Sequence, residues 1–292
     1  MRKKSRAIHR LWQNTLNSIA PRKSARLPTS SLPIVQRDEM SLGTYPSLNG
    51  RVVMVTGGAS GIGEEIVRSF AAQGARVGFV DLDAFRGERL ERELQNQGHS
   101  GKFIPCDLKD ADTLKAVTAS LAEALGPVGV LVNNAANDDR HDWADVTPAY
   151  FDERVATNMR HFFFAIQAVA PGMISAGGGS IINLGSISSW QDAGDLPVYA
   201  AAKAAIHGLT RSFARKLGRH RIRVNTVVPG WVMTERQKQL WATPEALKHH
   251  LQRQCLPDPV QPVHVARLVL FLASDDAAMC TAHNYMVEAG AI

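Results

Sequence analysis

Apolar runs and amphipathic stretches alternate along the chain from residue 50 to residue 228. Val52-Val53-Met54-Val55-Thr56 is continuously apolar, as a strand buried on both faces requires. A helical pattern follows it to Ala72 and stops at Gly74. Residues 76–80 read as a second strand. Residues 85–97 read as a helix, with Leu90 and Leu94 among alternating charges, and it ends at Gly98. A short strand spans 102–105. Leu114, Val117, Leu121 and Leu125 then recur at helical spacing before Gly126-Pro127. Further strands are predicted at 128–132, 180–184 and 222–228, separated by helices at 150–174 and 198–217. This rhythm predicts βαβ crossovers and a parallel, doubly wound α/β sheet. In such a sheet, ligands bind outside the carboxyl ends of the strands.

Composition adds bounds. The chain has 292 residues, 45% of them hydrophobic, enough for a large core in one domain over residues 47–292. No apolar run reaches the roughly 18 residues a membrane span needs, so no membrane is expected. Cys106, Cys255 and Cys280 are odd in number and lack a C-x-x-C spacing, which predicts a reduced, cytoplasmic chain. The histidines show no metal-ligand pattern, and the adjacent His249 and His250 face different ways on a helix, so no metal is expected.

The net charge of +6 is uneven. Residues 1–37 hold nine basic residues and no acid, leaving 24 basic against 27 acidic in the rest. The folded part therefore lacks the basic stripe that a nucleic-acid partner would need. Residues 1–46, with Pro21, Pro28, Pro33 and Pro46, predict a disordered extension. They also allow a transit-like targeting segment, or a translation start at Met40.

The chemistry gathers at the predicted strand ends. Gly57-Gly58-Ala59-Ser60-Gly61-Ile62-Gly63 joins the first strand to its helix. Glycines there allow a tight turn and let a pyrophosphate approach the helix N-terminus. Asp81 closes the second strand, eighteen residues after Gly63. An acid at about that distance pairs with an adenosine ribose diol and repels a 2′-phosphate, favouring NAD over NADP. It could also merely cap the next helix. Tyr199 and Lys203 are four residues apart, on one helix face. That spacing alone fits a packed ring beside a snorkelling lysine. It also fits a proton-transfer pair in which the ammonium lowers the phenol pKa. Ser186, thirteen residues earlier at a strand end, could bring a hydroxyl to the same point.

Together with Asp107-Leu108, Asn133-Asn134-Ala135 and Pro229-Gly230 followed by Thr234, these motifs resemble the short-chain dehydrogenases/reductases across residues 48–292. The resemblance implies a single-domain, Rossmann-type sheet of seven parallel strands. It implies a dinucleotide held by Gly57, Ser60, Gly61, Ile62, Gly63, Asp81, Asp107, Leu108, Asn134, Tyr199, Lys203, Pro229, Val232 and Thr234. It makes Tyr199 the general acid/base, Lys203 its activator, Ser186 the holder of the substrate oxygen, and Asn158 the anchor of a water leading to solvent. It also implies a homodimer or homotetramer assembled through the helices at 150–174 and 198–217. Ala136 departs from the glycine usual after Asn-Asn-Ala.

Specificity would lie in the loops at 137–145, 187–196 and 231–256, which mix carboxylates, amides and tryptophans. That mixture suits a small-molecule sugar better than a steroid or acyl chain. Asn133 to His141, Asn158 to His161, Gly185 to Ser188, and Arg236-Gln237 with Trp241 to Pro244 resemble the bacterial aldose 1-dehydrogenases of the D-xylose type. This implies oxidation of a pentose or hexose at C1 to the lactone with NAD⁺, the sugar touching Ser186, Gln191, Tyr199 and Trp231. Two other functions remain open. One is an NAD(P)H-dependent 3-oxoacyl thioester or other carbonyl reductase. The other is a non-catalytic cofactor sensor with a basic binding arm.

Overall fold

The computed structural model describes residues 43–292. Expectations for residues 1–42 lie outside the described residues. Residues 43–46, which the sequence assigns to the extension, lie against the folded body. Gln73 accepts a hydrogen bond from the Tyr45 N–H (2.8 Å) and donates one to the Gly43 carbonyl (3.0 Å).

Seven strands form one fully parallel sheet in the order β3-β2-β1-β4-β5-β6-β7. They are β1 (Val52–Thr56), β2 (Arg76–Asp81), β3 (Gly101–Pro105), β4 (Val130–Asn133), β5 (Gly179–Leu184), β6 (Ile222–Pro229) and β7 (Asn284–Val287). The order reverses between β1 and β4, and a crevice opens there at the carboxyl ends. Every residue of β1 is buried, because both faces of the sheet are covered. Val53 and Val55 pack under α1 (Gly61–Ala72) and the C-terminal helix Pro262–Ala273. Val52 and Met54 pack on the other face against Leu114, Leu121, Ile166, Met173 and Ala214. Each such buried aliphatic side chain contributes roughly 1.5–3 kcal/mol.

Helices α2 (Ala84–Asn96) and α3 (Ala111–Leu125) follow their strands and are capped by Asp83 and Asp110. The cap of α2 is thus Asp83, not Asp81, which frees Asp81 for another partner. The long helix expected at 150–174 is interrupted. It consists of α4 (Pro148–Val155), a π turn (Ala156–Arg160) and α5 (His161–Ser175). The turn brings the Asn158 side chain inward, where its Oδ1 accepts a 2.7 Å hydrogen bond from the Asn137 N–H. Of the phenylalanines on α5, Phe162 is buried while Phe163 is 42% exposed. Helix α6 (Pro197–Leu217) carries Tyr199 and Lys203 in its first two turns. Beyond β6 come α7 (Glu235–Leu240), α8 (Pro244–Arg253) and α9 (Pro262–Ala273), then β7. Among the described residues, no helix is long and apolar enough to cross a membrane, and no group of three His, Cys, Asp or Glu residues could hold a metal ion.

Candidate active site

A cleft of about 1320 Å³ opens at the carboxyl ends of the strands. Its floor is the glycine turn between β1 and α1. Gly57 and Gly61 have φ of +66° and +58°, which side chains rarely adopt. A Cβ on Gly57 would lie 2.7 Å from Ala135 Cα, and one on Gly61 would lie 3.2 Å from Thr234 Cγ2. Ser60 precedes α1 but makes no side-chain cap, so the first-turn N–H groups of that helix face the cleft without the partner that caps α2 and α3. Those donors and the helix dipole form an anion site. Asp81 secures the turn from β2, its carboxylate accepting from the Ala59 N–H (3.0 Å) and the Asp83 N–H (3.1 Å).

The end of β4 locks to the same turn. The Thr56 hydroxyl accepts from the Asn134 and Ala135 N–H groups (3.0 and 3.2 Å). The Asn134 amide donates to the carbonyls of Thr56 (3.0 Å) and Gly57 (2.9 Å). Asn134 thus acts through the shape of the turn. Asp107 and Leu108 follow the end of β3 and are not part of the cleft lining. The Asp107 carboxylate accepts from the Lys109 N–H (3.0 Å), and Leu108 packs into the core.

On the opposite side, β5 ends and Ser186 caps a single 3₁₀ turn, Ile187–Ser189. Its hydroxyl accepts from the Ser188 N–H (3.1 Å) and the Ser188 hydroxyl (2.9 Å), and it acts on the Tyr199 phenol, whose pKa it lowers. Lys203 is buried, and its Nζ donates to the Leu184 carbonyl (2.7 Å) and lies 5.7 Å from the Tyr199 ring centroid. Asn158 is buried nearby. With its Oδ1 taken by Asn137, its Nδ2 has no partner within the protein. Ser186, Tyr199 and Lys203 thus line one cleft, while Asn158 lies buried in the π turn and is not part of its lining.

Their electrostatics depart from the expectation. The Tyr199 pKa is raised, not lowered: burial dominates, the Asp138 carboxylate adds to it, and the Ser186 hydrogen bond only partly offsets both. Burial also brings Lys203 from 10.5 to about 7, against an opposing pull from Asp138. Desolvation disfavours both charged forms in the cofactor-free protein. Between pH 7 and 10.5 the unfolded chain holds more protons at Lys203 than the folded one, so this group's contribution to stability rises with pH across that window. Cofactor-free wild type should therefore gain stability relative to Lys203→Met between pH 7 and 9. Thermal melts check it: a difference that stays flat or shrinks over that range contradicts the buried, depressed lysine.

The remaining wall comes from the segment after β6. Pro229, Val232 and Thr234 line the cleft, with Thr234 against Gly61. Val232 bridges to Val260. Trp231 also lines it, its indole N–H donating to Gln237 Oε1 (2.8 Å). Gln191 lines the cleft too, but its amide donates to the Ala291 carbonyl (3.4 Å). Trp190 is 52% exposed and packs edge-on against His207, away from the cleft wall. The sequence singled out neither Asp138 nor Gln237. They meet across the cleft mouth, the Gln237 amide donating to Asp138 Oδ2 at 2.6 Å. Their loops were legible as specificity segments, but the inward direction of one acid among Asp138, Asp139 and Asp142 is set by tertiary contacts.

A family model described as enoyl-(acyl carrier protein) reductase matches residues 57–291. The chain is 51% identical to a D-xylose 1-dehydrogenase of Caulobacter vibrioides over 251 residues, covering 86% of this chain and 99% of that protein. It is 44% identical to a protein of Rhizobium meliloti named probable galactose dehydrogenase, covering 84% and 96%. Among solved structures, a 7α-hydroxysteroid dehydrogenase complexed with NADH and 7-oxo glycochenodeoxycholic acid superposes with a TM-score of 0.80 at 32% identity, covering 84% of this chain and 95% of that one. The glycine turn and the Ser186, Tyr199 and Lys203 side chains lie within the span of the family model. The chain is an oxidoreductase belonging to the short-chain dehydrogenase/reductase family.

Proposed function

We propose that the protein oxidises an aldose, a pentose or hexose such as D-xylose, at C1 to the lactone, with NAD⁺ as acceptor. The observation that carries this reading is a proton-transfer set, Ser186–Tyr199–Lys203, opening onto a wall of Asp138, Gln191, Trp231 and Gln237. That wall offers hydrogen-bonding groups and an indole plane to a polyhydroxylated ring. The sugar activities named for the two relatives support the same class.

The cofactor site fits a dinucleotide. The glycine turn leaves no room for side chains at Gly57 and Gly63, the uncapped start of α1 suits a pyrophosphate, and the Asp81 carboxylate at the end of β2 supports NAD over NADP by repelling a 2′-phosphate. Bound there, NAD⁺ would supply the hydride acceptor and a positive charge.

The chain's own residues do the rest. Ser186, oriented by Ser188, hydrogen-bonds the anomeric oxygen and holds it beside the phenol. Tyr199 Oη takes the hydroxyl proton. The Lys203 ammonium stabilises the Tyr199 phenolate that accepts this proton, and the neutral phenol so formed returns the proton towards solvent before the next turnover. The free Asn158 amide beside the π turn fixes a water that leads the proton to solvent.

The test is a panel of aldoses, polyols and 3-oxoacyl thioesters, each with NAD(H) and NADP(H). An aldose should reduce NAD⁺, and Asp81→Ala should narrow the preference over NADP⁺ by at least tenfold. Consumption of NADPH by a thioester, with every aldose inert, would reject this reading.

A further inference from the structure

Asp138 and Asp139 are adjacent, yet the fold uses them differently. Asp139 is tied down by arginines, Arg236 at 2.5 Å and Arg154 at 3.4 Å. Its neighbour lines the cleft and faces the catalytic helix: the charge on Asp138 acts on both Tyr199 and Lys203. From the lid, Asp138 receives the Gln237 amide at 2.6 Å on Oδ2 and approaches Arg236 Nε at 3.5 Å through Oδ1. Gln237 is itself fixed by the Trp231 indole. The carboxylate is thus oriented from one side only. It can accept about four hydrogen bonds, and these two leave capacity toward the cleft.

The loop does not depend on Asp138 for its shape. The Asn137 N–H is anchored by Asn158 (2.7 Å) and the Asp139 N–H by Asn137 Oδ1 (2.9 Å), with the Asp139 ion pairs beyond. A negative charge beside a general base also works against oxidation, because it raises the phenol pKa. An inward, pre-oriented carboxylate at that position needs a compensating use, and hydroxyl donors on the substrate supply one.

We propose that Asp138 is a specificity-determining residue that accepts a hydrogen bond from a non-reacting ring hydroxyl of the aldose and repels substrates carrying a negative charge. This rests on the aldose reading above. Removing one partner of a charge-assisted hydrogen bond lowers kcat/KM by roughly 10–100-fold.

The test couples residue to hydroxyl. kcat and KM are measured for an accepted aldose, its monodeoxy analogues and the matching uronic acid. The enzymes are wild type, Asp138→Asn, Asp138→Ser and, as a control on the lid contact, Asp139→Asn. Melting temperature and NADH binding of each variant report folding. In wild type, one deoxy analogue should lose about 10–100-fold in kcat/KM. In both Asp138 variants that loss should shrink to under threefold, mostly through KM, while the uronic acid becomes a better substrate relative to the parent. Asp139→Asn should keep the wild-type deoxy pattern. Deoxy penalties that are the same in wild type and the Asp138 variants overturn this assignment alone, as does a pattern that Asp139→Asn reproduces. Failure of wild type to oxidise any aldose overturns the functional reading and this assignment together.

Discussion

Tyr199→Phe should lower kcat by about 10²–10⁴-fold while NADH binding stays within a few-fold of wild type. The variant keeps the ring and loses only Oη, the atom on which the Ser186 hydroxyl acts. Ring packing is preserved, so a stability change should not account for the loss. The barrier increase corresponds to roughly 3–5 kcal/mol, since each tenfold in rate is 1.36 kcal/mol. Because the resting phenol is held above its ordinary pKa by burial and Asp138, oxidation by wild type should accelerate as pH rises, and reduction of the lactone should not. Rapid kinetics with NAD⁺ and an accepted aldose, beside NADH fluorescence titration, separate chemistry from binding. A Tyr199→Phe enzyme with near-full kcat would remove Tyr199 from proton transfer.

Gly63→Ala should abolish useful dinucleotide affinity, with at least a 100-fold rise in Kd, and should destabilise the cofactor-free protein. Gly63 is not protected by an unusual φ, so backbone strain is not the reason. Space is the reason. A Cβ there would overlap the Gly57 carbonyl oxygen and lie 2.5 Å from Asn134 Nδ2. That amide also donates to both the Thr56 and Gly57 carbonyls, so one methyl group disturbs the end of β1, the glycine turn and the end of β4 together. Overpacking of this kind costs about 1–3 kcal/mol, or a melting temperature lower by several degrees in a domain of this size. NADH titration and a thermal melt check both parts. Wild-type affinity in the variant would show that the turn can relax without losing the pyrophosphate site.

Much of this arrangement is written in local pattern. The strands are legible because both faces of the sheet are covered, so β1 and β4 are nearly continuous apolar runs rather than alternating ones. The glycine turn and the Tyr199–Lys203 spacing are legible because their geometry is local. The π turn at Ala156–Arg160 is not, since the surrounding residues keep a helical pattern and the extra residue is absorbed by the contact of Asn158 with Asn137 across 21 positions. Nor is the pKa balance: spacing places Lys203 near Tyr199, but desolvation depends on everything packed around them. Asp138 and Gln237 are 99 residues apart, and their hydrogen bond exists only once the sheet is built.

The segment between β6 and α9 leaves and rejoins the body at almost one place, where Val232 pairs with Val260 in a single parallel bridge and the Met233 N–H meets the Val260 carbonyl at 2.8 Å. Helices α7 and α8 lie between these two valines, with a second attachment where the Cys255 and Leu256 N–H groups donate to the Ala289 carbonyl. Closing a loop on fixed ends costs free energy that grows only slowly with its length. Residues of α7 and α8, beyond Thr234, can thus be gained, lost or exchanged without shifting the register of β6 or the seat of α9. Evolution can treat this piece as a cassette, refitting the enzyme to a new substrate while the apparatus for moving hydride and proton is inherited intact.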